Sequence, residues 1–212
     1  MNAASPDRLR AVLLLGPTGV GKTPLGNWLE AHGLWGRPGH HFDFGANLRA
    51  IAAAGPSDGF ASDEIQFLRG VMARGALLEN ESFYLAARIL DTFVGQRGVQ
   101  PGHWLVLNGL PRHVGQAQAI DERLCVCAVI ELACDARVIG ERLRRDAGGD
   151  RARRTDDAHA LVARKLAVYE ERSRPLVAHY QQRGARLLSF SVGVGTRPQE
   201  IAEQLERLSV GG

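Results

Sequence analysis

Of 212 residues, 45% are hydrophobic and 23% charged, and 26 basic against 23 acidic side chains leave a formal charge of only +3. That length supports one self-sufficient core, 25 Gly and 9 Pro fall short of a low-complexity chain, and so weak a basic excess gives no reason to expect a nucleic-acid partner. Cys125, Cys127 and Cys134 are too few for a disulfide framework, no apolar run approaches the ~20 residues of a membrane helix, and the start lacks a secretory leader pattern, so a cytoplasmic protein with no membrane partner is expected.

In chain order, short apolar runs alternate with helix-period segments. Candidate strands are Ala11–Leu15, His40–Phe44, Trp104–Asn108, Cys125–Leu132 and Arg186–Ser191. Continuously apolar runs of this length suit strands covered on both faces, so the alternation predicts a parallel α/β sheet. Ser62 precedes an acidic first turn, Asn80 can cap the segment running to Val94, and Thr196 with Gln199 has capping-box spacing. A long helix is expected over Asp156–Arg183, with Val162, Leu166, Tyr169, Leu176 and Tyr180 near one face and a kink or break at Pro175. The stretch Arg142–Arg154 holds six arginines and a Gly-Gly pair and reads as a charged loop.

The strongest chemical signal is Gly16-Pro17-Thr18-Gly19-Val20-Gly21-Lys22-Thr23, a complete phosphate-loop motif between a strand and a helix. Glycines at these positions let backbone N–H groups line a concavity for phosphate oxygens. The helix that follows adds a favourable dipole. Lys22 is placed to reach the β- and γ-phosphates, and the Thr23 hydroxyl to ligate magnesium. A mere glycine turn needs neither Lys22 nor Thr23. The expected ligands are therefore ATP and Mg2+, held by Gly16, Thr18, Gly19, Val20, Gly21, Lys22 and Thr23.

Four further segments follow in order: HFDFGANLRA (41–50), VLNGLPRHVGQAQAID (106–121), RRTDD (153–157) and KLAVYEERSRPLVAHY (165–180). Together with the phosphate loop they resemble the adenylate kinase family of nucleoside monophosphate kinases over nearly the whole chain. The resemblance implies a three-layer P-loop α/β sandwich with a five-stranded parallel sheet of order 2-3-1-4-5. It divides this single domain into a core, an acceptor-binding helical segment over 44–94 and a short arginine-rich lid over 142–155. It also implies that Arg49 and Arg112 hold the acceptor phosphate and that Gln116 reads the acceptor base. Leu78 lies along the acceptor nucleoside, with Gly45 and Gly109 in the matched acceptor stretches. Arg142 covers the ATP base, and Arg154 contacts the transferring phosphoryl group. Guanidinium forks suit these tasks because a monophosphate is a dianion that must be held in line with the donor.

The chain departs from the family pattern in four places. Asn108 stands where an aspartate orients the water shell of magnesium and is expected to serve the metal through water without adding charge, Phe44 replaces a threonine, Ala46 replaces an acidic residue, and Lys165 falls where an arginine is expected. Lysine keeps the charge but loses the bidentate fork. On this reading an aspartate restored at position 108 would raise magnesium-dependent turnover. Asp43, at the end of the second strand, either caps the next helix or serves the acceptor or metal, as in shikimate kinase and similar small-molecule kinases. The lid has no cysteine, which excludes a zinc-ribbon lid. The sequence therefore points to Mg-ATP-dependent phosphoryl transfer to a nucleoside monophosphate, AMP first, by a monomer. A kinase of a small hydroxylated metabolite using Asp43, and a weakly catalytic ATP/AMP sensor, remain as alternatives.

Overall fold

The computed structural model describes residues 8–54, 59–149 and 159–208. Its centre is a five-stranded sheet: β1 (Leu9–Leu15), β2 (Gly39–Asp43), β3 (Trp104–Asn108), β4 (Leu124–Ala133) and β5 (Arg186–Ser191). The order is β2-β3-β1-β4-β5 and every pairing is parallel. The expected strands and their order are all present. The run at 125–132 is longer by one residue at each end, and β4 carries an irregularity opposite Ala11 and Val12.

Alternate residues of one strand feed two separate cores, as period-2 geometry demands. Ala11, Leu13, Leu105, Leu107 and Val129 pack on one face beneath α4 (Phe83–Gln96), α5 (Val114–Asp121) and α8 (Leu176–Gln182). Val12, Leu14, Val106 and Ile130 pack on the other beneath α1 (Lys22–His32) and α9 (Pro198–Arg207). With apolar cover on both sides, the central strands cannot afford polar alternation. Cys125 and Cys127 are free, half-buried thiols.

The described part of segment 44–94 holds α2 (Phe44–Ala54), α3 (Ser62–Ala73), a 3-10 turn (Asn80–Ser82) and most of α4. Two capping expectations shift. Asn80 sits within the 3-10 turn and helix α4 starts at Phe83, while the Asn80 side chain packs against Gly115. At the C-terminal helix, Thr196 Oγ1 accepts the Gly193 N–H at 2.9 Å and so closes the preceding turn. The first turn of α9 is instead held by Glu200, which accepts the Arg197 N–H at 3.3 Å. The acidic start of α3 acts in the same way: Glu64 accepts the Ala61 N–H at 3.0 Å.

After α6 (Ala136–Arg144) the described chain runs to Gly149 and resumes at α7 (His159–Val168), and the expected long helix is interrupted. Tyr169–Ser173 forms a π-turn, with Arg174 N–H bonded to Tyr169 O at 2.9 Å, just before Pro175. A proline removes one ladder donor and crowds the carbonyl a turn earlier, so the helix widens and restarts at Leu176. That turn places Tyr169 and Ser173 on the wall of the main cavity. No helix among the described residues is long and apolar enough to cross a membrane.

Candidate active site

The carboxyl ends of β1, β2 and β3 open into one cavity of about 470 Å³. Ligands bind at this edge in open parallel sheets because the loops there diverge. Gly16, Thr18, Gly19, Gly21, Lys22 and Thr23 form one wall. Gly16 has φ +146°, and a Cβ there would meet the carbonyl of Leu132 at 2.5 Å. Gly21, the residue before α1, has φ +111°. Both positions need glycine for the loop to curl over the helix start. Val20 is packed into the core below, so only its backbone belongs to the loop surface. Lys22 Nζ donates to the carbonyls of Gly16 at 2.6 Å and Pro17 at 2.8 Å, which holds the ammonium over its own loop.

Asp43, Gly45, Arg49, Leu78, Gly109, Arg112 and Gln116, all expected on the acceptor side, line the same cavity. Arg49 projects from the first turns of α2, and its guanidinium lies beside Gly45. Arg112 follows β3, and burial pushes its guanidinium below the ordinary arginine range. Among the described residues, no carboxylate lies within 4 Å of the Arg49 or Arg112 guanidinium. A desolvated, uncompensated cation at a cavity wall favours an anionic ligand.

Gln116 is 1% exposed, and each end of its amide has a backbone partner. Nε2 donates to Leu78 O at 2.8 Å, and Oε1 accepts the Arg112 N–H at 2.7 Å. His113 caps α5 by accepting the Gln116 N–H, and its Nε2 faces Leu78 O at 3.0 Å. Ser173 Oγ donates to Arg112 O at 2.7 Å. The backbone on both sides of the Arg112 side chain is therefore fixed, and so is the Leu78 segment. His113 and Ser173 escaped the sequence reading because the Leu78 and Arg112 carbonyls they meet are distant in the chain.

Arg142 is only 4% exposed. Its guanidinium reaches the carbonyl of Gly19 at 3.3 Å and those of Gly193, Val194 and Thr196 at 2.7, 3.1 and 3.3 Å. It ties the phosphate loop to the β5–α9 loop at the cavity edge. Lys165 also reaches the cavity wall. Arg154, with Asp156 and Asp157, lies outside the described residues, as does part of the 142–155 segment.

At the cavity floor, Thr23, Asp43 and Asn108 meet. Thr23 Oγ1 donates to Asp43 Oδ2 at 2.7 Å, and Asn108 Nδ2 lies 3.1 Å from each of Asp43 Oδ2 and Thr23 Oγ1. Asp43 Oδ1 accepts the Ala46 N–H at 2.9 Å, so the same carboxylate also caps α2. Below them His41, 7% exposed, faces Asn108 Nδ2 through Nε2 at 3.3 Å and Asn27 Oδ1 through Nδ1 at 2.9 Å. Burial pushes the His41 pKa down, against the opposing pull of Asp43 and Glu30. Asn27 Oδ1 can only accept, so Nδ1 donates to it, and Nε2 turns its lone pair toward the Asn108 amide donor. Gly26 makes this approach possible, since a Cβ there would overlap the imidazole. An aspartate at position 108 would enter this geometry beside a carboxylate that is already present. It would add a second carboxylate within about 3 Å of Asp43.

Comparison with known proteins agrees with this architecture, although no protein-family model matches. An adenylate kinase of Parvibaculum lavamentivorans is 35% identical over 183 residues, covering 82% of this chain and 80% of the relative. One from Synechococcus sp. strain CC9311 is 33% identical over 201 residues, 92% of this chain and 96% of the relative. One from Xanthomonas euvesicatoria is 34% identical over 204 residues, 93% and 96% respectively. The chain belongs to the adenylate kinase family. It is accordingly an enzyme of the nucleoside monophosphate kinase class, with a nucleotide-binding site. Within this adenylate kinase-like cavity the phosphate loop and the Arg49 and Arg112 guanidinium groups lie on different elements, β1–α1 on one side and α2 and β3–α5 on the other.

Proposed function

We propose that the enzyme transfers the γ-phosphoryl group of magnesium-bound ATP to AMP, giving two nucleoside diphosphates. The observation that carries this reading is the pair Arg49 and Arg112 on the cavity wall, without a carboxylate partner among the described residues, together with a phosphate loop lining the same cavity. Loop N–H groups and Lys22 hold the donor phosphates. Arg49 and Arg112 hold the acceptor phosphate by their forks. The fixed Leu78 segment provides a surface for the acceptor nucleoside, and Gln116 keeps that segment in place. Arg142 fixes the phosphate loop from behind, and Arg154 and Lys165 supply further positive charge from the 142–165 region.

No general base is needed, because the attacking monophosphate oxygen is already anionic. Positioning and charge neutralisation carry the catalysis. The hydroxyl of Thr23 and the carboxylate of Asp43 are hard oxygen donors of the type magnesium takes, so the cavity floor fits that ion. When bound, magnesium supplies positive charge to the β- and γ-phosphate oxygens. Asp43 Oδ2 accepts from Thr23 and Asn108 and Oδ1 from Ala46, which holds the carboxylate in place at the cavity floor. The 44–94 and 142–155 segments are proposed to close over the two nucleotides and exclude water. The working form is a cytoplasmic monomer.

The test is an incubation with Mg-ATP and a panel of nucleoside monophosphates and small alcohols, followed by product identification. ADP formed from AMP in excess of the other monophosphates is the expected result. Product from an alcohol alone, or tight ATP and AMP binding without turnover, contradicts it.

A further inference from the structure

Parallel register sets Asp43 of β2 directly beside Asn108 of β3. The orientation of the Asn108 amide follows from its neighbours. The Asp43 carboxylate can only accept, so the atom 3.1 Å from Oδ2 is the amide NH2. His41 Nε2 presents a second acceptor on the same side, and Asn27 holds the opposite edge of that ring. Position 108 therefore contributes a donor and no charge, while position 43 contributes the negative charge that touches the Thr23 hydroxyl at 2.7 Å.

We propose that the carboxylate orienting magnesium in this chain has moved one strand across the sheet, from position 108 to Asp43, with Asn108 as the amide that holds it. His41 and Asn27 are positioning residues that keep the amide turned toward Asp43. This inference rests on the reading of the cavity as a magnesium–ATP site. It makes the asparagine at 108 a matched half of an exchange. An aspartate at 108 is tolerated only when residue 43 gives up its charge.

A charge-swap cycle tests it, read by electron paramagnetic resonance of Mn2+ retained with a non-hydrolysable ATP analogue, and by thermal melting without metal. The variants are Asp43→Asn, Asn108→Asp and Asp43→Asn/Asn108→Asp. Asp43→Ser is added because serine still caps α2. Asp43→Asn and Asp43→Ser should weaken Mn2+ retention about 10- to 100-fold, with metal-free analogue binding nearly unchanged. The double variant should regain most of the loss. Asn108→Asp alone should melt lower without metal and be raised more than the wild type by added Mn2+. Mn2+ retention unchanged in both position-43 variants, or no recovery in the double variant, overturns the inference. A wild type that retains Mn2+ and analogue yet phosphorylates no monophosphate contradicts the proposed acceptor and leaves this inference intact.

Discussion

Lys22→Ala should reduce phosphoryl transfer by at least about 10²–10³-fold, the scale on which single preorganised charges act, while the protein stays folded. The lysine ammonium donates to the carbonyls of Gly16 and Pro17 in its own loop. Its removal costs the fold at most on the order of 1 kcal/mol per hydrogen bond. The loop curvature is set by Gly16 and Gly21, whose positive φ does not depend on the Lys22 side chain. Steady-state rates with saturating Mg-ATP, alongside thermal melting, check both halves of the expectation. An unchanged rate would remove the phosphate loop from the chemistry.

Arg112→Ala should lower kcat/KM for the monophosphate by a similar factor, about 10²–10³, and leave ATP affinity nearly unaltered. Its backbone is fixed independently of its side chain, through Gln116 Oε1 and Ser173 Oγ, so the substitution removes a guanidinium without loosening the loop. Arg112→Lys should recover only part of the activity, because a point charge lacks the two parallel donors that match a phosphate. Equal loss of ATP and monophosphate binding would place Arg112 with the donor.

Much of this architecture is legible in the residues. Apolar runs such as Trp104–Asn108 carry no alternation because both faces are covered, and that alone argues for a parallel sheet. The phosphate loop is a local device, so its motif and its geometry coincide. What depends on distant contacts is hidden. The sequence has Asp43 and Asn108 separated by 65 positions, and only strand register makes them neighbours. His41 looks like half of an adjacent histidine pair, yet its role is set by Gly26 leaving room for the ring and by Asn27 meeting it. Gln116 looks like a base-reading amide, and the structure adds two backbone partners that the sequence does not show. Arg142, one of six arginines in a charged stretch, is distinguished by the four carbonyls converging on it. The capping near Thr196 was displaced by one residue because two competing side chains, Thr196 and Glu200, each satisfy a different backbone N–H.

The most direct measurement is a calorimetric titration of AMP into protein already saturated with magnesium and a non-hydrolysable ATP analogue. Two nucleotides held at once by the phosphate loop and the Arg49–Arg112 wall predict one further equivalent of AMP per chain, bound without release of the analogue and lost in Arg112→Ala. Displacement of the analogue by AMP, with a total of one nucleotide per chain, would contradict a cavity built for donor and acceptor together.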